Sequence, residues 1–174
     1  MPRIPDKNVN FMVYSDTNIL YGVAEVTLPD FESMSESMSG AGIAGEAEIP
    51  VIGHFGSMTL TLQWRTLTKE AMALASPEAH TLVLRGVWQA YDSGAGELQT
   101  SSVRITVKAV PKNLSLGSLN VGNSSDSESE FEILYIKVVI DEKEYIELDK
   151  HSYIFRVNGK DYLESVRKGL GLAS

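Results

Sequence analysis

Cysteine is absent from the 174 residues, which excludes disulfides, thiolate metal sites and cysteine nucleophiles and suits folding in a reducing cytoplasm. Histidine is scarce: His54, His80 and His151 are the only three, and none lies within metal-ligand spacing of another, so each reads as a surface or packing residue. Cations are in deficit, 15 Lys and Arg against 23 Asp and Glu, and the resulting charge of -8 repels nucleic acid and anionic lipid. Long apolar runs are missing as well. The longest, Ile133 to Ile140, is interrupted by Lys137 and too short to span a bilayer, and the opening MPRIPDKNVNF lacks the apolar stretch of a secretory signal. Asn113 and Asn123 match the glycosylation sequon, which carries no weight without a secretory route. H-E-x-x-H, G-x-S-x-G and the P-loop pattern do not occur. No catalytic residue, metal ligand or cofactor is therefore expected.

What remains is dominated by alternation. SMTLTLQW (57 to 64) places Met58, Leu60, Leu62 and Trp64 on one face and Ser57, Thr59, Thr61 and Gln63 on the other, the period of a half-buried strand. The pattern recurs at 18 to 28, 46 to 52, 81 to 91, 101 to 110, 131 to 140 and 151 to 157, with turn chemistry at 92 to 96 and at 141 to 144. The fold class is mainly β: an antiparallel sandwich or barrel with one flanking helix, a long extended hairpin and a short C-terminal helix. Thr68 caps the first helix and Pro77 stops it; the second follows Asp161, with Gly169 closing it and Arg167 and Lys168 in its last turn. At 43% hydrophobic the chain supports one domain, residues 1 to 174, and no βαβ alternation suggests a doubly wound sheet. Residues 31 to 53 read as an extended excursion, 114 to 130 as a mobile Ser-rich loop, and 158 to 174 as the closing helix and tail.

GAGIAG (40 to 45) has the spacing of a dinucleotide fingerprint, but no buried strand precedes it and Pro50 with strand alternation follows, so a glycine-rich hinge is the better reading. Asp126, Glu128 and Glu130 lack the glycine and distal glutamate of an EF-hand and read as a solvated acidic loop. Glu46 and Glu48 share one strand face and form an acidic stripe, not a facing carboxylate pair. Trp64 and Trp88 lie on apolar faces and read as core.

Four collinear stretches, YGVAEVTLPDF (21 to 31), SGAGIAGEAEIPV (39 to 51), MTLTLQW (58 to 64) and RVNGKDYLESVRKGLGL (156 to 172), resemble the major tail tube proteins of contractile-tailed bacteriophages and phage-tail-like bacteriocins. The resemblance runs from about residue 11 to the C-terminus. It implies a non-enzymatic β-sandwich subunit without cofactor, assembled in the bacterial cytoplasm into hexameric rings. These stack into a hollow tube for DNA passage or membrane puncture, with sheath, tape-measure, baseplate and tail terminator proteins as partners and no membrane of its own. On this reading Phe31, Gly40, Gly42, Ile43, Gly45 and Ile49 contact a neighbouring ring. Val157, Leu163, Arg167 and Leu170 contact neighbouring subunits, the basic Arg156, Lys160, Arg167 and Lys168 docking on acidic surface. Glu46, Glu48, Ser57, Thr59, Thr61 and Gln63 face the lumen, SMTLTLQW pairing with the strand that carries the two glutamates. Two other assignments fit less well: a type VI secretion tube protein, and a monomeric carbohydrate-binding module stacking on Trp64 or Trp88.

Overall fold

A computed structural model describes residues 3–172. Its frame is a long hairpin, β7 (His80–Asp92) with β8 (Glu97–Ser115), paired along the whole of β7. Asp92 makes the turn: its Oδ1 accepts the amides of Gly94 and Ala95, and Gly96 supplies the positive φ that the reversal demands. β1 (Arg3–Ser15) lines the other edge of β7, and β2 (Leu20–Tyr21) pairs briefly with β1. On the far side, β8 pairs with β9 (Ser127–Ile140).

β9 then forks. Its first half pairs with β6 (Thr59–Trp64), which pairs with β3 (Val23–Thr27). Its second half pairs with β10 (Lys143–Asp149), followed by β11 (Ile154–Val157) and β12 (Lys160–Asp161). Asp141 and Glu142, both at positive φ, form the two-residue turn between β9 and β10. A separate two-stranded sheet holds β4 (Ser33–Ser39) and β5 (Glu46–Phe55). Among the described residues the ladder does not close into a barrel, and β3 is paired along one edge only.

The alternation at 57 to 64 does what it predicts. Met58, Leu60, Leu62 and Trp64 are buried, facing Phe131 and Ile133 of β9 and the core of Val13, Leu82, Val103 and Val107. Each such side chain contributes about 1.5–3 kcal/mol through burial. Ala71 and Leu74 bring the first helix, α1 (Lys69–Ala73), onto this core, and Thr68 Oγ1 accepts from the Ala71 amide as its cap.

Several expectations need correction. MPRIPDKNVNF lacks strand alternation, yet β1 begins at Arg3: its polar residues lie on a sheet exposed on both faces. Only 116 to 126 is loop within the stretch 114 to 130, and that loop is anchored by Ser125 N–H to Arg65 O (2.8 Å) and Ser118 N–H to Ser125 O (2.8 Å). Ser127 and Ser129 are buried, because small residues fit beneath Trp64. Helix α1 ends at Leu74, ahead of Pro77. The second helix, α2 (Glu164–Gly169), closes on Gly171 and not Gly169: Gly171 has φ 72°, its N–H reaches Lys168 O, and the Leu172 N–H reaches Arg167 O, a Schellman closure. Trp88 is 42% exposed. It does sit on the core-facing side of β7, but the opposing strand β3 stops at Thr27 and leaves it uncovered.

Candidate assembly surfaces

Three surfaces hold the residues singled out in the sequence. The first is the β4–β5 hairpin. Its register sets Ser37 opposite Glu48, Ser39 opposite Glu46, and Glu36 opposite Ile49. Serine and glutamate therefore share one face, where Ser35 Oγ donates to Glu48 Oε1 (2.6 Å) and Ser37 Oγ donates to Glu46 Oε1. Met34, Met38 and Ile49 lie on the other face, all about half exposed. Glu36 stands between the methionines, and a two-stranded ribbon exposed on both faces is marginal in water, so its order comes from its root.

That root is well built. The Gly56 N–H reaches Glu32 O (2.9 Å) and shuts the hairpin. Phe31, Phe55, Phe155 and Tyr162 form a chain of rings with centroids 5.7, 5.0 and 6.0 Å apart, tying the hairpin to β11 and the approach to α2. Gly53 (φ 66°) lies against Leu163, where an added Cβ would stand 2.6 Å from Cδ2. Phe31 and Leu163 thus both lie at the hairpin's base, whereas Gly40, Gly42, Ile43 and Gly45 are about 26 Å or more of extended chain away at the tip, at ~3.3 Å per residue.

The second surface is the outer face of β3, β6 and β9. Thr59, Thr61 and Gln63 stand opposite Glu132, Glu130 and Glu128, and Gln63 also stands beside Glu25. The neighbours of β6 are thus β3 and β9, not β5: the expected pairing of SMTLTLQW with the Glu46 and Glu48 strand is not made within the chain. Of the four carboxylates beside the threonines, Glu128 and Glu130 were expected in a solvated acidic loop and instead lie on β9, while Glu25 and Glu132 were passed over, although the alternation of SESEFE (127 to 132) signals all but Glu25. Ser57 joins this group by donating to Glu132 Oε2 (2.6 Å). Desolvation would raise the Glu132 pKa, but hydrogen bonds from Ser57, the Met58 amide and Lys150 outweigh it and hold the carboxyl below its ordinary value.

The third region is the C-terminal block, where a line of alternating charges crosses β10, β11 and α2. Tyr135 Oη donates to Glu147 (3.0 Å), Glu147 accepts from Arg156 (2.7 Å), and Asp161 pairs with Arg167 (2.7 Å). Arg167, itself buried, also donates to Tyr153 O. Its hydrogen bond holds Asp161 below the ordinary carboxylate range. Burial, with Glu147 beside it, pushes Tyr135 up to about 12. Arg156 and Arg167 are therefore engaged within the subunit. Lys168 pairs with Glu164 one turn away (2.6 Å), Lys160 rides over Tyr162, Val157 is half-buried, and Leu170 is exposed.

Among the described residues no group of three or more His, Asp or Glu side chains is placed to hold a metal ion. Comparison with known proteins agrees with an assembly reading. The tail tube protein of Escherichia phage P2 is 29% identical over 158 residues, covering 87% of this chain and 88% of that one. The major tail tube protein of Serratia phage KSP20 is 23% identical over 171 residues, covering 97% and 98%. The sheath/tube terminator of an extracellular contractile injection system shares the fold, with TM-score 0.53 and 17% identity over 76% of this chain and 93% of that one. The model of the phage tail tube protein FII family matches residues 5–171, and the chain belongs to that family.

Proposed function

We propose that this chain is a structural subunit of the inner tube of a contractile tail or related injection particle. Six copies close a ring, rings stack into a hollow conduit, and a sheath encloses it, with tape-measure, terminator and baseplate proteins as further partners. The observation that carries this reading is a match between two sheets whose strands are not paired with one another in the subunit. The β4–β5 hairpin and the β3–β6–β9 face both present hydroxyls with glutamates on one side and largely aliphatic side chains on the other, Glu36 of the hairpin being the exception. The edge of β3 and the outer edges of the hairpin are both unpaired.

Joining such edges between copies satisfies the free backbone and turns an aggregation hazard into assembly. The joined wall puts Glu46, Glu48, Thr59, Thr61, Gln63 and the β9 glutamates on one wet surface, and the aliphatic face against protein. A bore of that chemistry holds more carboxylates than cations, and the lysines beside it, Lys112 at Thr59 and Glu132, and Lys150 at Glu132, are already paired, which favours passage of DNA over retention. Negative-stain electron microscopy of the purified protein at rising concentration tests this: hollow rods or six-fold rings are expected, and a protein that stays monomeric at every concentration would refute it.

A further inference from the structure

The wall proposed for the bore has an opposite side. Leu60 and Leu62 of β6 share one core with Leu82 and Leu84 of β7 and with Val103 and Ile105 of β8. Arg85 and Arg104 alternate with these core residues, so they point away from β6. With the β3–β6–β9 face on the bore, both arginines stand on the outside of the tube.

That outward face carries an unanswered positive charge on an acidic chain. From His80 to Tyr91 and from Leu98 to Ser115, β7 and β8 contain no aspartate or glutamate. Arg85 and Arg104, both exposed, stand directly opposite each other, flanked by Met12 and Val139. Like charges so placed repel unless an anion comes between or beside them. Neither arginine has a carboxylate within salt-bridge distance among the described residues. Arg85 rests over the Tyr14 ring, its Cζ 5.3 Å from the centroid.

The nearby carboxylates bound this site without filling it. Glu144, next in the row beyond Val139, is taken by Lys137 at 2.8 Å. Asp141 is held at the β9–β10 turn, where its Oδ1 accepts the Ser102 N–H (2.8 Å). Glu142 of the same turn lines a hollow of about 330 Å³ together with Arg85, Val87, Ser102, Arg104 and Val139. Two guanidinium groups therefore face one carboxylate there, and the acidic turn limits the opening to a short anionic segment. A long polyphosphate crossing the face would meet Asp141, Glu142 and Glu144, whereas one or two carboxylates fit the planar guanidinium forks. Copies in the same tube all turn this face outward, so the anion comes from whatever encloses them.

We propose that Arg85 and Arg104 anchor a short acidic segment of the protein that encloses the tube. This rests on the tube reading and assigns the outer face that the reading leaves blank.

The test co-expresses the chain with the sheath subunit of its own particle and counts sheathed and bare rods by electron microscopy. An Arg85→Gln, Arg104→Gln double variant should keep the subunit's circular dichroism and form bare rods at the usual yield. Its sheathed rods should fall by about tenfold or more, and Arg85→Lys, Arg104→Lys, which keeps the charge, should restore them. In sheathed rods of the lysine variant, a carbodiimide should join the amine introduced at position 85 or 104 to an aspartate or glutamate of the sheath, read by mass spectrometry. Wild-type sheathing of the glutamine variant would overturn the anchor, as would sheathed lysine-variant rods that give no such amide. Loss of bare rods in the glutamine variant with its circular dichroism unchanged would place the arginines between copies and overturn it too. Oligothymidylate held by bare wild-type rods and released by the glutamine variant would assign the face to nucleic acid instead. Failure of the wild-type chain to form rods would refute the tube reading itself.

Discussion

At the scale of the residue, the same substitution two positions apart on β9 should have opposite signs. Ser127 Oγ is buried without a hydrogen-bond partner among the described residues, and Ser129 Oγ accepts from Trp64 Nε1 at 3.0 Å. Ser127→Ala removes an unsatisfied hydroxyl and should be neutral or raise stability by about 1 kcal/mol; Ser129→Ala strands a buried indole N–H and should cost about 1–3 kcal/mol. Urea denaturation of both variants checks the pair. The Trp64 side of this contact was legible from alternation, but the serines were not, because composition alone counts them as loop formers whether or not an indole lies above them. The same is true of Trp88, whose face was readable while the length of the strand opposite it was not. Tyr135 yields a second prediction. Its folded pKa, about 12, stands above the ordinary tyrosine value of 10, so its contribution is complete below pH 10 and is lost as pH rises toward 12. Tyr135→Phe should remove that part of the alkaline fall in stability, which thermal melts across the window would show.

At the scale of the element, the hairpin shows how a strand can be legible without its support. Serine, methionine and glycine at 31 to 45 argue for looseness, yet the period of two in β4 is regular, and Phe31, Phe55, Phe155 and Tyr162 clamp its base. The clamp comes from residues over a hundred positions apart, beyond any local pattern. Leu163, expected at a subunit contact, is buried and seals the clamp against Gly53. Gly53→Ala should therefore cost about 1–3 kcal/mol, since a Cβ there meets the buried Leu163 side chain and the left-handed backbone disfavours it. Loss of protection in β4 and β5, read by hydrogen exchange with the β7–β8 amides unchanged, is the expected pattern. Uniform destabilisation would mean that the hairpin has no separate hinge at its root.

At the scale of the whole molecule, the question is where the unpaired backbone of the edges goes. β3 bonds only to β6, β4 and β5 bond only to each other, and the Arg3–Met12 stretch of β1 has one neighbour, β7. A soluble monomer ordinarily blunts such edges with charge, proline or bulges. Here β3 sets a single glutamate and one register shift, between Val23 and Glu25, among Val23, Ala24, Val26 and Thr27, a thin defence that leaves the edge a good substrate for pairing. If assembly consumes these edges, the outward amides of β3, and those on the outer edges of β4 and β5, exchange quickly with solvent in dilute subunits. In rods they should slow by about a hundredfold or more, as local opening becomes coupled to loss of a neighbour. Amides of β8, paired on both sides already, serve as the internal reference. Hydrogen exchange with mass spectrometry on subunits and rods of the same preparation separates the possibilities. Slowing confined to β3 and the hairpin places the joint at their edges, whereas equal exchange in both states would mean that rods form through side chains alone and that the wall of the bore is not one continuous sheet.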